Sequence, residues 1–141
     1  MVYNKSGMHV VAAKLKSRRA IVENGLYWMA PTSEEEADFV CAVLNSPALT
    51  EAVQPLMSYG KDERDVAKHV WKLAIPEFDA ANGLHQEISQ IGRDLAVLAA
   101  QFNVSSDVYF PTTCRRFREA LNATPEMKRL IELTGDLLAD L

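Results

Sequence analysis

Three groups of cationic side chains are the residues whose types and spacing could do chemistry. Lys14 and Lys16 alternate with apolar neighbours, so on a strand they project from one face, and Ser17-Arg18-Arg19 follows in a connecting turn. Lys61, Arg64, Lys68, His69 and Lys72 form a second group, and Arg115, Arg116 and Arg118 a third. Any one group alone reads as a solvated face. Together they permit phosphate contacts that orient a protein on a duplex, and arginine adds the bidentate fork that reads a guanine edge.

Residues for bond-making chemistry are missing or badly spaced. His9, His69 and His85 form no His-x-x-x-His pair, and each reads as a surface or capping residue. Cys41 and Cys114 lie far apart with no Cys-x-x-Cys spacing, so neither a zinc site nor a disulfide framework has a basis. Cys41 falls on an apolar helical stripe beside an acidic flank that would not favour its thiolate; a core role is expected. The glycines at 7, 25, 60, 83, 92 and 135 are scattered and build no phosphate-binding loop. Glu34-Glu35-Glu36 and Asp62-Glu63 belong to a helix start and a turn, where solvated roles are expected. Tyr27, Trp28 and Trp71 sit beside apolar neighbours and read as core residues, not base-stacking platforms.

The elements that must position the cations follow from the hydrophobic pattern. Residues 9–16 and 20–29 read as strands, with Asn24-Gly25 as a tight turn, so residues 1–31 are expected to form a small β ribbon. Ser33 caps a helix, Glu36 closes a capping box, and Ala37, Val40, Cys41 and Leu44 follow as one apolar stripe. Pro47 disfavours helical geometry at Ser46, so that helix stops near Asn45; Ser46 then caps a second helix over residues 47–57 with Pro47 at its first position. Residues 66–75 suit either a helical turn followed by a strand or a continuous helix, closed by Pro76. Residues 82–102 form the clearest helix, with a heptad-like stripe of Leu84, Ile88, Ile91, Leu95, Leu98 and Phe102. Helices over about 112–122 and from Thr124 to the end complete the chain; Met127, Leu130, Ile131, Thr134, Leu137, Leu138 and Leu141 make the last buried face.

The fold class is therefore α+β: a short N-terminal antiparallel β ribbon followed by a predominantly helical region of four or five helices. A chain of 141 residues, 48% hydrophobic, buries one core, so residues 1–141 are expected as a single domain: the ribbon at 1–31, helices and a connecting segment at 32–80, and the long helix with C-terminal helices at 81–141. No stretch approaches the roughly 20 apolar residues a membrane helix needs, so a cytoplasmic protein without membrane contact is expected. The formal net charge of -4 argues against sequence-blind nucleic-acid binding over the whole surface. The distribution is uneven, however: residues 1–31 hold Lys5, Lys14, Lys16, Arg18 and Arg19 against Glu23, while residues 32–60 hold only acidic charges.

The order of these signals resembles a known family. Gly25-Leu26-Tyr27-Trp28, then Ser33-Glu34-Glu35-Glu36-Ala37, then Ala42-Val43-Leu44-Asn45-Ser46-Pro47 is similar to the C-terminal target-recognition region of N6-adenine DNA methyltransferases and related restriction-modification proteins, whose aromatic strand precedes a helix ending in Leu-Asn-Ser. Arg64-Asp65-Val66-Ala67-Lys68 and Leu73-Ala74-Ile75-Pro76 resemble that family's lead-in and Leu-Pro-Ile-Pro element, with Ala74 in place of proline. Arg115-Arg116-Phe117-Arg118-Glu119-Ala120-Leu121 and the leucine-rich last helix are similar to the tail of large members.

The resemblance implies a non-catalytic DNA target-recognition domain or fragment, with double-stranded DNA and an upstream methyltransferase domain or subunit as partners. S-adenosylmethionine would bind that upstream part, not this chain. Asn45-Ser46-Pro47-Ala48 has serine as its second residue and lacks the aromatic of the catalytic Asn-Pro-Pro-aromatic loop, so the chain is not expected to be an enzyme on its own, and no metal is implied. Lys14, Lys16, Arg18, Arg19, Lys61, Arg64, Lys68 and Lys72 are the candidate DNA contacts. The alternative is a helical protein-interaction or oligomerisation module in which the stripe over residues 84–102 pairs with a partner helix or a second copy.

Overall fold

A computed structural model describes residues 1–17, 19–56, 67–104 and 107–139, and of residues 67 and 68 the backbone alone. The expected helix end at 57 and Leu141 therefore lie outside the described residues.

Capping residues fix where the helices begin and end. Helix α1 (Glu34–Asn45) starts at Ser33, whose hydroxyl accepts the Glu36 amide at 3.0 Å. The Glu36 carboxylate accepts the amide and the hydroxyl of Thr32, both at 2.6 Å, so the box closes one residue earlier than the expected Ser33 amide. Those hydrogen bonds hold the Glu36 carboxyl below the ordinary carboxylate range. Helix α2 (Pro47–Val53) begins at Ser46 with Pro47 in its first turn, as the sequence predicts, and ends in a tight turn at Gln54–Leu56.

A short helical turn, α3 (Ala67–Val70), precedes the irregular stretch to Pro76. Helix α4 (Gly83–Gln101) is capped by the Asn82 side chain. Helix α5 (Phe110–Asn122) starts two residues earlier than its pattern suggests. Helix α6 (Pro125–Ala139) starts at Thr124, whose hydroxyl accepts the Met127 amide.

The ribbon differs in detail from expectation. Its central strand is β1 (Val2–Asn4), flanked by β2 (Ala12–Ala13) and β3 (Leu26–Trp28) in the order β2-β1-β3, both pairings antiparallel. Residues 20–23 do not pair with β3 across Asn24-Gly25; the turn there, with the Leu26 amide on the Glu23 carbonyl, only leads the chain into β3. Three residues give no readable period, which is why β1 is invisible to pattern analysis.

The core is built around α1, which is buried on most of its circumference and not along one stripe. Phe39, Val43 and Leu44 are inaccessible to solvent, alongside Leu49, Val53, Ile88 and Leu130 from neighbouring helices. Helix α4 lies so close to α1 that a Cβ on Gly92 would fall 2.6 Å from the Asp38 carbonyl oxygen and 2.8 Å from Ala42 Cβ. Ile88, Ile91 and Leu95 of the heptad-like stripe are buried in this packing, and Phe102 meets Phe117 of α5 edge to face at 5.1 Å.

Candidate nucleic-acid interface

The stretch Leu44-Asn45-Ser46 joins the ribbon to the helices. The Asn45 side-chain amide accepts the Ala12 amide at 3.0 Å and donates to the Ala12 carbonyl at 2.9 Å, completing the outer edge of β2 as a neighbouring strand would. Ser46 Oγ accepts the Ala48 amide, while Thr134 Oγ1 donates to the Leu130 carbonyl at 2.7 Å. The remaining proton, on Ser46, therefore points to Thr134 Oγ1 at 2.6 Å, and a buried hydroxyl chain ties α2 to α6. Leu44 is inaccessible to solvent in the core. These residues set helix ends and hold elements together.

A second tie was not expected. Asp38, 1% exposed, receives the Lys14 ammonium on one carboxylate oxygen and Arg93 Nε, at 3.1 Å, on the other. One buried carboxylate thus joins the segment after β2 to α1 and α4. Its partners lie far away in sequence, so no local spacing signals it.

Lys14 is consequently occupied by Asp38, with Glu34 at 3.8 Å, and is three-quarters covered. Lys16 and Arg19 stay exposed. Lys14 and Lys16 line a common open depression with Leu15, Ser33 and Glu34. Lys72 is exposed beside Trp71. Arg18, Lys61, Arg64 and the Lys68 side chain lie outside the described residues. In the third group Arg115 pairs with Glu119 at 3.9 Å, and Arg116 is exposed. Arg118 lies close enough to His9 for its charge to act there: partial burial first, and that charge second, hold His9 below the ordinary imidazole range.

The aromatics depart from the expectation of a core. Trp28 is 68% exposed, and Trp71 and Tyr27 also stand substantially in solvent. The physical reason is the sheet's position. One face carries Tyr3, stacked on Tyr27 at 5.6 Å and edge-on to Trp71 at 5.9 Å, and the Trp71 indole donates to the Tyr3 hydroxyl at 2.8 Å. The opposite face carries Val2 and its cross-strand partner Trp28, and there the segment after β2 folds back, contributing Leu15, Ala20 and Val22. Between them lies an open depression of about 440 Å³. Lys16 and Arg19, both exposed, adjoin its lining residues Leu15 and Ala20 in the chain, and Lys16 lines the depression that shares Met1 and Leu15 with it.

The expectation for His85 changes, and that for Cys41 holds. His85 is buried, its ring 4.8 Å from Phe39, with Nδ1 accepting the Asp79 amide at 3.0 Å; it is a core residue that closes the turn before α4. Cys41 is largely buried, and burial pushes its thiol up to about 11, away from nucleophilic use. Among the described residues, no cluster of His, Cys, Asp or Glu is arranged to hold a metal ion, and no helix is long and apolar enough to cross a membrane. Comparison with protein-family models, curated proteins and solved structures finds no match to this chain.

Proposed function

We propose that the chain is a non-catalytic DNA target-recognition domain, or a fragment of one, from an N6-adenine methylating or restriction system. The observation that carries this reading is the exposed pairing of cations and indole at the ribbon: Lys16 and Arg19 beside the Trp28 depression. Cations of this kind meet phosphate, and an open aromatic surface meets sugar or base faces. The resemblance in the order aromatic strand, Leu-Asn-Ser helix end and Ile-Pro element supports the same reading. Double-stranded DNA is the partner, and the methylating chemistry and its S-adenosylmethionine belong to an upstream domain or subunit. Lys14 is set aside as a contact because Asp38 holds it.

Fluorescence anisotropy with a labelled duplex at low salt tests the proposal. The wild-type chain binds, and Lys16→Ala with Arg19→Ala weakens binding about tenfold or more. A wild-type chain without affinity for the duplex at low salt overturns it.

A further inference from the structure

We infer that the outward side of α5 is a second contact for the phosphates of duplex DNA, an inference that rests on the function proposed above. Two phosphate contacts, at Lys16 and Arg19, set a salt dependence with a slope of only about two, whereas a steep salt dependence takes about 6–10 contacts. Charge along the helices shows where further cations stand. Helices α1 and α2 carry Glu34, Glu35, Glu36, Asp38 and Glu51 and no Lys or Arg, and in α4 and α6 acidic residues outnumber basic ones. Helix α5 is the reverse, with Arg115, Arg116 and Arg118 against Glu119 alone.

The arginines of α5 are also less engaged than those of its neighbours. Arg93 of α4 is held by Asp38 at 3.1 Å, and Arg129 of α6 by Glu87 at 2.8 Å and Glu132 at 3.3 Å. On α5, Arg115 meets Glu119 at 3.9 Å with both side chains about two-thirds exposed, so the pair holds weakly in water. Among the described residues, no carboxylate pairs with Arg116 or Arg118.

Helix packing leaves this side open. Thr113 is the buried residue of α5, and Phe117, edge-on to Phe102, and Leu121, partly buried against the core, continue its row every four residues. Arg115 and Arg116 fall outside that row and are exposed. Helix α5 thus lies on the scaffold by a narrow stripe. The charge of Arg118 reaches His9, in the loop between β1 and β2, so α5 borders the ribbon. A duplex carries a phosphate charge about every 1.7 Å along its axis, which gives a helix beside the ribbon further phosphates to meet.

The test is duplex binding by fluorescence anisotropy over a salt series, with the full chain and two α5 variants. Arg116→Ala with Arg118→Ala is expected to weaken low-salt binding about tenfold and to make the slope of log K against log salt shallower by about two. Its effect multiplies with that of Lys16→Ala with Arg19→Ala, because the two surfaces are separate. Glu119→Gln releases Arg115 and removes a charge that repels phosphate, so it is expected to bind several-fold more tightly, a gain that misfolding does not produce. The inference alone is overturned if the wild-type chain binds and the ribbon variant binds more weakly, while the arginine variant keeps the wild-type affinity and slope or Glu119→Gln brings no gain. It is overturned in favour of an acidic protein partner if polyglutamate binds more tightly than the duplex and loses its affinity with the same arginines. A wild-type chain without affinity for the duplex removes the proposed function and this inference together.

Discussion

In the helical body, Asp38, Ser46 and Thr134 are buried and each finds its partners within the chain, whereas in the ribbon Lys16, Arg19 and Trp28 stand in solvent. Both regions contain polar and aromatic groups in abundance. What separates them is burial: a polar group removed from water must be satisfied internally, while one left in water remains available to a ligand. On the function proposed above, the body serves as the scaffold and the ribbon as the surface it holds out. The central residues of the helix stripe over residues 84–102 are likewise covered, by α1 and α6.

The sharpest way to break the comparison is at Asp38. Asp38→Ala leaves Lys14 and Arg93 without their shared carboxylate and opens a gap between α1 and α4. Because both cations can reach water, the expected loss is about 2–4 kcal/mol, below that of a fully enclosed pair, read as a lower urea midpoint at unchanged m-value. Gly92→Ala strikes the same crossing from the other side. The added methyl meets backbone at 2.6 Å, so the helices must separate, at a cost of about 1–3 kcal/mol in the same assay.

Asn45→Ala probes the joint between the two regions. It strips the Ala12 peptide of its side-chain partner and is expected to cost about 1–2 kcal/mol, with faster hydrogen exchange at the Ala12 amide before any global unfolding. The smallest stability effects belong to the ribbon surface: Lys16→Ala, Arg19→Ala and Trp28→Ala should each change the unfolding free energy by no more than about 0.5 kcal/mol. A loss as large as that of Asp38→Ala at any of them would erase the distinction between scaffold and display.

How far the sequence reveals this division depends on the range of the interactions involved. Helix boundaries at Ser33, at Asn45-Ser46-Pro47, at Asn82 and at Thr124 were legible because caps and prolines act within a turn of where they sit. The heptad-like stripe was legible for the same reason. Strand β1 was not, because three residues acquire strand character only from pairing with β2 and β3. Nor was the role of Lys14: its sequence neighbours suggest a solvent-facing strand, and only the approach of α1 delivers Asp38 to it. The exposure of Trp28 was hidden likewise, since an apolar neighbourhood in sequence does not say whether any element covers that face of the sheet. Of the candidate contacts, Lys16, Arg19 and Lys72 are where residue type and exposure agree.

The most direct measurement of the central claim, that the ribbon is the displayed DNA-binding surface, is the salt dependence of duplex affinity for the wild-type chain and for the Lys16→Ala, Arg19→Ala double variant. The account predicts a linear fall of log K with log salt concentration, and a slope shallower by about two in the double variant, one unit for each phosphate contact removed. An identical slope and affinity in the two proteins, with both remaining folded, would contradict it.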